Sequence, residues 1–383
     1  MTFPAPFWTL FAANLATMSS FAAFFLFPLF ITEHGGGESE IGLLMGVFAL
    51  AATLCRPWIA EMIDHYGRRR MHRIGSVAML VFTLAYLLFL DHFSFWGLLL
   101  LRLLHGMALA VCFTSVFTYV ADLLPASMLN RGLGIFGISG LVGMAGGPFL
   151  AEGAMRHGGF VGYFLFAATF TGISALFSFR LPESPQTVLA EGEAKERFFT
   201  LLKQRKFAVV AALSFLFGIA VAATSSFVSP LAQQRQIAVI SSFFVAYSAG
   251  AIGIRLGFGG VTDRLGERRV IPLAQLIFSA GLLLLTFADS TLLLTLSGLA
   301  CGLAHGILFP SLNTLAIRGE PFSRRGKATG IFTGALDAGT FSGALLLGAV
   351  GEWVGLSLLF TVAALAVLAG LLLLPLLRRT TAT

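Results

Sequence analysis

Residues 56–70 read RPWIAEMIDHYGRRR, and residues 255–269 read RLGFGGVTDRLGERR. The two stretches carry Arg, Asp, Gly and an Arg-Arg pair at matching positions that lie 199 residues apart. Asp64 matches Asp263, for example, and Gly67 matches Gly266. Each stretch is a short charged hinge between two hydrophobic runs. In a chain of 383 residues, a repeat at this period indicates a duplicated domain.

The composition predicts a polytopic membrane protein. Hydrophobic residues make up 57% of the chain and charged residues 11%, with a mean hydropathy of +0.88. Average soluble domains carry about a quarter charged residues, so this chain has too little charge to cover the surface of a water-soluble fold. The net charge of +7 does not imply a nucleic-acid partner, and none is expected, because Lys and Arg concentrate in the cytoplasmic loops of membrane proteins.

The cysteines and the glycine-rich segments give no sign of a cofactor. Cys55, Cys112 and Cys301 lie in apolar runs far apart in the chain, which indicates neither a disulfide framework nor a metal site. They are interpreted as small buried hydrophobic residues. The chain lacks a nucleotide-binding loop of the Gly-x4-Gly-Lys-Ser/Thr kind, so the sequence does not encode ATP as the driving force.

Twelve hydrophobic segments approach the length of about 20 residues that a helix needs to cross a bilayer. They span residues 6–32, 40–63, 73–91, 95–122, 132–155, 160–180, 207–232, 239–262, 270–288, 291–316, 327–350 and 355–377. The fold predicted is therefore an all-α membrane protein with twelve transmembrane helices in two pseudo-symmetric six-helix bundles. We expect an N-terminal bundle at residues 1–180, a cytoplasmic linker at 181–206 and a C-terminal bundle at 207–383.

The distribution of charge predicts the topology. Most of the 25 Lys and Arg residues fall in alternate loops, in the linker and in the C-terminal tail, whereas the opposite loops are acidic or neutral. The positive-inside rule then places both termini in the cytoplasm. No Asn-x-Ser/Thr sequon occurs, which fits a bacterial inner membrane.

The repeat extends beyond the two charged hinges. Matching triplets or pairs occur at residues 27–29 and 229–231, at 105–106 and 305–306, and at 134–136 and 330–332. Two six-helix halves of the same orientation are the arrangement in which parallel repeats flank a central substrate site.

These residues resemble the major facilitator superfamily. The loop signature of that family, Gly-x-Leu-Ala-Asp-Arg-x-Gly-Arg-Lys/Arg, is met at residues 60–70 with Ala60 for the first Gly, and again at 259–269 with Glu267 for a basic residue. Its fourth-helix signature, Arg-x-x-Gln-Gly, appears at residues 102–106 with His105 for Gln. The resemblance covers essentially the whole chain. It implies a secondary active transporter that works by alternating access.

A third motif bears on the direction of transport. Members that resemble the drug:proton antiporters carry Gly-x8-Gly-x3-Gly-Pro-x2-Gly in the fifth helix. The present chain has Gly134, Gly143, Gly147 and Pro148, with Ala151 where the last Gly is expected. Small residues on one face allow close helix approach, and Pro148 removes a backbone donor and permits a bend. The family association of this motif favours export.

The resemblance also implies a cytoplasmic gate built from ion pairs that are remade as the two halves rock. Asp64 and Asp263 end the second and eighth predicted helices, and Asp122 is expected near Arg131 at the start of the fifth. The predicted gate residues are Asp64, Gly67, Arg68, Arg69, Asp122, Arg131, Asp263, Gly266 and Arg268. The alternative is that these are ordinary loop charges.

Ionisable residues within the spans are candidates for proton coupling or substrate binding. A charge at mid-membrane costs about 2.5–3.5 kcal/mol on insertion scales and usually faces a cavity or a partner. The resemblance links Arg102 to coupling. Asp337 is interpreted as a proton carrier, a cation partner or a structural ion-pair member, with Glu152 a weaker candidate. Arg56 and Arg255 either take part in this site or extend to the lipid headgroups.

The remaining candidates are histidines and amides. His105 and His305 occupy matching positions, and histidine can exchange protons near neutral pH, but a hydrogen-bonded core histidine fits equally well. Asn14 and Asn313 either bind substrate or hold helices together.

The sequence therefore predicts a monomeric, lipid-embedded transporter of a small organic molecule, most simply a proton-coupled exporter. One alternative reverses the direction and takes up a sugar, an organic acid or a lipid-like solute with protons. Another is a membrane receptor or scaffold that does not transport. An enzyme is not expected, because neither a Ser/His/Asp arrangement nor metal-ligand spacing is present.

Overall fold

The computed structural model describes residues 3–125, 128–182 and 201–378, and the regular elements within these ranges are helices. In chain order they are α1 Ala5–Ala23, α2 Phe27–Glu33, α3 Glu38–Tyr66, α4 Arg68–Ala85, α5 Phe95–Leu123, α6 Leu129–Phe179, α7 Arg205–Ser226, α8 Val228–Gln234, α9 Ser242–Leu265, α10 Glu267–Thr286, α11 Thr291–Ile317, α12 Phe322–Val354, α13 Leu356–Ala369 and α14 Leu374–Arg378. Short 3-10 turns at Phe24–Leu26 and Gly370–Leu373 join α1 to α2 and α13 to α14.

The chain divides into two compact units. The first comprises Met1–Gly35 and Val47–Leu189, and the second comprises Gly36–Gly46 and Ala190–Thr383. The start of α3 thus belongs with the second unit, where a Cβ at Gly42 would collide with the backbone carbonyl of Ala344 in α12. Most of the predicted linker, at residues 183–200, lies outside the described ranges, and the predicted domain boundaries stay a prediction.

In the first unit, α1 packs along α6, and α4 packs against α5 and α6. Aromatic residues hold these helices together. Phe7 of α1, Tyr119 of α5 and Phe136 of α6 are fully buried in one cluster. A second cluster joins Met79 of α4 to Cys112 of α5. The three cysteines are free thiols, of which Cys112 and Cys301 are buried.

The second unit repeats this packing scheme. Its α7 packs along α12, α10 packs against α11 and α13, and α9 lies along α11. The contacts of α7 with α12 correspond to those of α1 with α6, and the contacts of α10 correspond to those of α4. The repeat that the charged hinges predict is thus visible in helix packing.

Two of the predicted segments form one continuous helical element. In α6, the backbone leaves helical geometry at Gly158 (φ −129°) and Gly159 (φ 56°). This kink falls between the predicted segments 132–155 and 160–180, so those two segments meet without a longer loop.

Ten helices among the described residues are long and apolar enough to cross a membrane, and Ser242–Gly257 is a shorter apolar helix. The four tryptophans, Trp8, Trp58, Trp96 and Trp353, are between 50% and 87% exposed. Three of them lie within a few residues of a helix end, where the amphipathic indole ring suits the membrane interface. The chain is an integral, multi-pass membrane protein.

Candidate functional site

Both copies of the charged hinge turn at a glycine with positive φ. Gly67 (φ 86°) precedes α4, and Gly266 (φ 76°) precedes α10. Only glycine adopts this backbone region without steric cost. The conformation explains why glycine stands at this position in both repeats.

A buried ion pair links the start of α4 to the end of α5. The Arg68 Nε donates a hydrogen bond to the Asp122 Oδ2 over 2.8 Å, and the two side chains are 8% and 11% exposed. The Arg68 Nη1 also reaches the carbonyl of Ile63, near the end of α3. Three helices therefore meet at this pair.

The structure adds Arg68 to the surroundings predicted for Asp122. Asp122 is expected near Arg131, and its carboxylate accepts a hydrogen bond from Arg68. The side chains of Asp64, Arg131 and Asp263 lie outside the described part of the chain. Arg69 is half-buried and Arg268 is exposed. The gate as a whole stays a prediction.

The second unit has an ion pair at the start of α10, where the acidic partner lies on α10. Glu267, the first residue of α10, occupies the repeat position of Arg68, and its Oε1 accepts from the Arg318 Nη2 over 2.7 Å. Nearby, the Lys206 Nζ donates to the Glu320 Oε1 over 2.7 Å. Sequence reasoning missed this network. Its available signal was Glu267, which replaces a basic residue of the loop signature.

The antiporter-like glycines lie on the face of α6 that meets α1. A Cβ at Gly147 would collide with the carbonyl of Ser19, and one at Gly143 would lie 2.9 Å from the carbonyl oxygen of Leu15. Gly134 differs, since a Cβ at that position would have nothing within 4 Å. Ala151 is fully buried. Two of the three motif glycines thus make the close approach.

Hydrogen bonds between polar side chains reinforce the contact between α1 and α6. The Asn14 Nδ2 donates to the Ser139 Oγ over 2.7 Å, and the hydroxyls of Thr17 and Ser174 lie 2.7 Å apart. These contacts favour the helix-joining interpretation of Asn14. In the second unit, Asn313 accepts from the Thr329 Oγ1, which favours the same interpretation there.

Arg102 lies in a closed aromatic cluster of the first unit. It is 2% exposed, and its guanidinium carbon lies 4.3 Å from the ring centroid of Phe48. The rings of Phe24 and Phe27 lie 5.5 and 5.4 Å away. A desolvated cation is stabilised by such ring faces.

The same cluster contains a tyrosine–histidine pair. The Tyr86 hydroxyl lies beside Arg102 and 3.3 Å from the His105 Nδ1. His105 is buried, with Phe24 and Phe48 against its ring. Arg102 and His105, predicted separately, are therefore brought together.

A related cluster in the second unit is more open. The Tyr247 hydroxyl lies 2.5 Å from the His305 Nδ1, and Phe309 stacks on His305 with the ring centroids 5.8 Å apart. The Arg255 guanidinium lies 5.9 Å from the Phe309 ring. Arg255, His305 and Phe309 are half-buried. Tyr247, which sequence reasoning missed, lies 199 positions after Phe48.

The other candidates are placed as follows. Asp337 and Arg56 are half-buried on α12 and α3. Glu152 accepts from Arg156 over 2.7 Å, one helical turn away. Within the described residues no group of three or more His, Cys, Asp and Glu could hold a metal ion.

A family model matches most of this chain, and named relatives align with most of its length. The family model described as Major Facilitator Superfamily matches residues 9–256 and 210–383. The multi-drug resistance efflux pump PmrA of Streptococcus pneumoniae is 26% identical over 77% of this chain and 76% of its own length. The quinolone resistance protein NorA of Staphylococcus aureus is 23% identical over 84% of each chain.

The fold has close structural counterparts. The crystal structure of a mutant of the nucleoside transporter NupG superimposes with a TM-score of 0.80 at 15% identity and covers 97% of this chain and 99% of its own. At this identity the likeness concerns the fold.

Proposed function

Because the chain belongs to the Major Facilitator Superfamily, and is thus a transporter rather than an enzyme, we propose that it exports small organic molecules in exchange for protons. The observation that carries the proposal is the close packing of Gly143 and Gly147 against α1. Both glycines belong to the motif that the resemblance links to export. The names of PmrA and NorA, an efflux pump and a quinolone resistance protein, point to the same direction and to drug-like solutes.

The proposed exporter has twelve membrane crossings. The ten helices long enough to span become twelve when the kink at Gly158 and Gly159 divides α6 and when Ser242–Gly257 is counted. Two bundles at residues 1–180 and 207–383, joined by a cytoplasmic linker, follow from this count. Both termini then face the cytoplasm, in accordance with the basic loops.

In this proposal, ion pairs at the cytoplasmic ends of the helices form the gate. The buried pair of Arg68 with Asp122 holds α4 against α5, and the glycine turns at Gly67 and Gly266 orient the helices that follow. Asp64, Arg69, Arg131, Asp263 and Arg268 complete the proposed gate. Ion pairs of this kind offer the two discrete states that alternating access requires.

Proton coupling is assigned to the ionisable residues within the spans. Arg102 with His105, and Arg255 with His305, are the proposed coupling groups, together with Asp337. An ionisable side chain inside a transporter usually marks a substrate or proton path. Arg56 remains a supporting candidate, whereas the hydrogen bonds of Asn14 and Asn313 favour a role in helix packing.

The test is flux in proteoliposomes under an imposed pH gradient, with ethidium and norfloxacin as separate solutes. An antiporter accumulates solute when the lumen is acidic, because outward proton flow drives solute inward. Symport predicts accumulation when the outside is acidic. A receptor or scaffold predicts no gradient-dependent flux. Accumulation with an acidic outside, or the absence of gradient-dependent flux, would contradict the proposal.

A further inference from the structure

In each unit an arginine, a tyrosine and phenylalanine rings surround the matching histidine. The two clusters differ in how exposed these side chains are. In the first unit, Arg102, Tyr86 and His105 are all buried, and three phenylalanine rings cover the arginine. In the second unit, Tyr247 is buried, whereas Arg255, His305 and Phe309 are half-buried. A single ring, Phe309, lies over Arg255 among the described contacts. The second cluster is therefore the more exposed of the two.

Arg255 offers a hydrogen-bond donor that the described residues leave unused. Its Nε is buried and has no hydrogen-bond partner among them. A buried donor without an acceptor is unfavourable. An anion satisfies it, and the planar guanidinium matches the two oxygens of a carboxylate.

The neighbouring rings are suited to a flat ligand. His305 and Phe309 are nearly parallel, with an interplanar angle of 10°. The hydrogen bond between the Tyr247 hydroxyl and the His305 Nδ1 fixes the orientation of the imidazole, and the Phe217 ring meets the imidazole edge-on with the centroids 5.1 Å apart. Phe332 meets the edge of Phe309 at 5.0 Å. Aromatic ligands stack in offset or edge-to-face geometry on surfaces of this kind.

We propose that Arg255, Tyr247, His305 and Phe309 form a binding site for an aromatic carboxylate in the second unit. The guanidinium of Arg255 binds the carboxylate, and Phe309 stacks on the aromatic ring. This assignment rests on the proposed export function and deepens it, because it names a class of substrate.

The experiment measures equilibrium binding to the full-length chain in lipid nanodiscs. The probes are norfloxacin, which carries a carboxylate on an aromatic ring system, and its methyl ester, which lacks the negative charge. The wild-type chain is expected to bind the acid about 10-fold more tightly than the ester. Arg255→Gln removes this preference by weakening the acid and leaving the ester nearly unchanged. Phe309→Leu weakens both probes several-fold.

Arg156→Gln is the matched control, because it makes the same chemical change at an exposed arginine outside the cluster. It is expected to leave the binding of both probes unchanged. Thermal unfolding of each variant checks folding. Unchanged acid binding in folded Arg255→Gln, or a wild-type chain that does not prefer the acid, overturns the site. Should Arg255→Gln fail to fold, equal binding by Phe309→Leu and wild type contradicts the site independently.

Failure of this site and failure of the export function have different signatures. Ethidium carries no carboxylate, so its pH-driven flux tests export alone. If ethidium flux follows the pH gradient but the chain does not prefer norfloxacin over its methyl ester, the binding site is contradicted and the export function is supported. An acid preference lost in Arg255→Gln, without pH-driven flux of either solute, keeps the site and removes export.

Discussion

Gly146 and Gly147 are neighbours in α6 with opposite surroundings. The position of a Cβ at Gly147 is occupied by the backbone of Ser19 in α1, whereas nothing lies within 4 Å of one at Gly146. A methyl group at Gly147 therefore forces the two helices apart, and one at Gly146 does not.

We expect Gly147→Ala to lower the free energy of unfolding by about 1–3 kcal/mol, the usual cost of overpacking, and to reduce ethidium flux. Thermal unfolding and proteoliposome flux measure the two effects. Gly146→Ala is the control and should match the wild type in both. If the two variants behave alike, the close approach of α6 to α1 does not matter for transport.

The glycine turn before α4 gives a second prediction at the residue scale. Because Gly67 adopts a φ of 86°, Gly67→Ala is expected to cost about 1–2 kcal/mol and to lower the unfolding temperature. Gly137→Ala is the control, since Gly137 lies inside α6 with free space around it, where alanine favours the helix. An unfolding temperature for Gly67→Ala at or above that of Gly137→Ala would contradict the strained-turn argument.

Between elements, the two ion pairs differ in burial. Arg68 and Asp122 are both nearly buried, and breaking a buried pair by removing one partner costs about 3–5 kcal/mol. In the second pair Glu267 is 7% exposed but Arg318 is 60% exposed, so water reaches one partner and weakens the interaction relative to a fully buried pair. The first pair should therefore contribute more to stability than the second.

Asp122→Asn is accordingly expected to lower the unfolding temperature more than Arg318→Gln does. The effect of Arg318→Gln should also shrink as salt is added, because salt screens exposed charges. The exchange Arg68→Asp with Asp122→Arg should recover part of the loss, which separates specific pairing from a general need for charge. Equal losses in Asp122→Asn and Arg318→Gln would show that burial does not set the strength of these pairs.

At the scale of the whole molecule, the basic loops predict that the C-terminus faces the cytoplasm. A green fluorescent protein fused after Thr383 should therefore fluoresce in a bacterial host, and an alkaline phosphatase fused there should be inactive. The control is a phosphatase fused in the acidic loop after Asp289, which should be active. An active phosphatase at the C-terminus would reverse the topology.

The sequence by itself determined the class, the repeat and the approximate limits of the helices. Hydropathy along the chain is a local property, so the predicted segment 95–122 closely matches α5, Phe95–Leu123. The offset of 199 residues likewise needs no coordinates. The glycines of the two charged hinges, Gly67 and Gly266, both adopt a positive φ. This backbone preference of glycine is also a local property.

Only the tertiary structure decided which side chains meet. Asp122 pairs with Arg68, Glu267 pairs with Arg318, and Tyr247 binds His305. These partners are between about 50 and 60 residues apart in the chain. Their contact depends on how each helix is rotated about its axis, and in a chain whose helices are apolar on nearly every face, hydrophobic periodicity does not reveal that rotation.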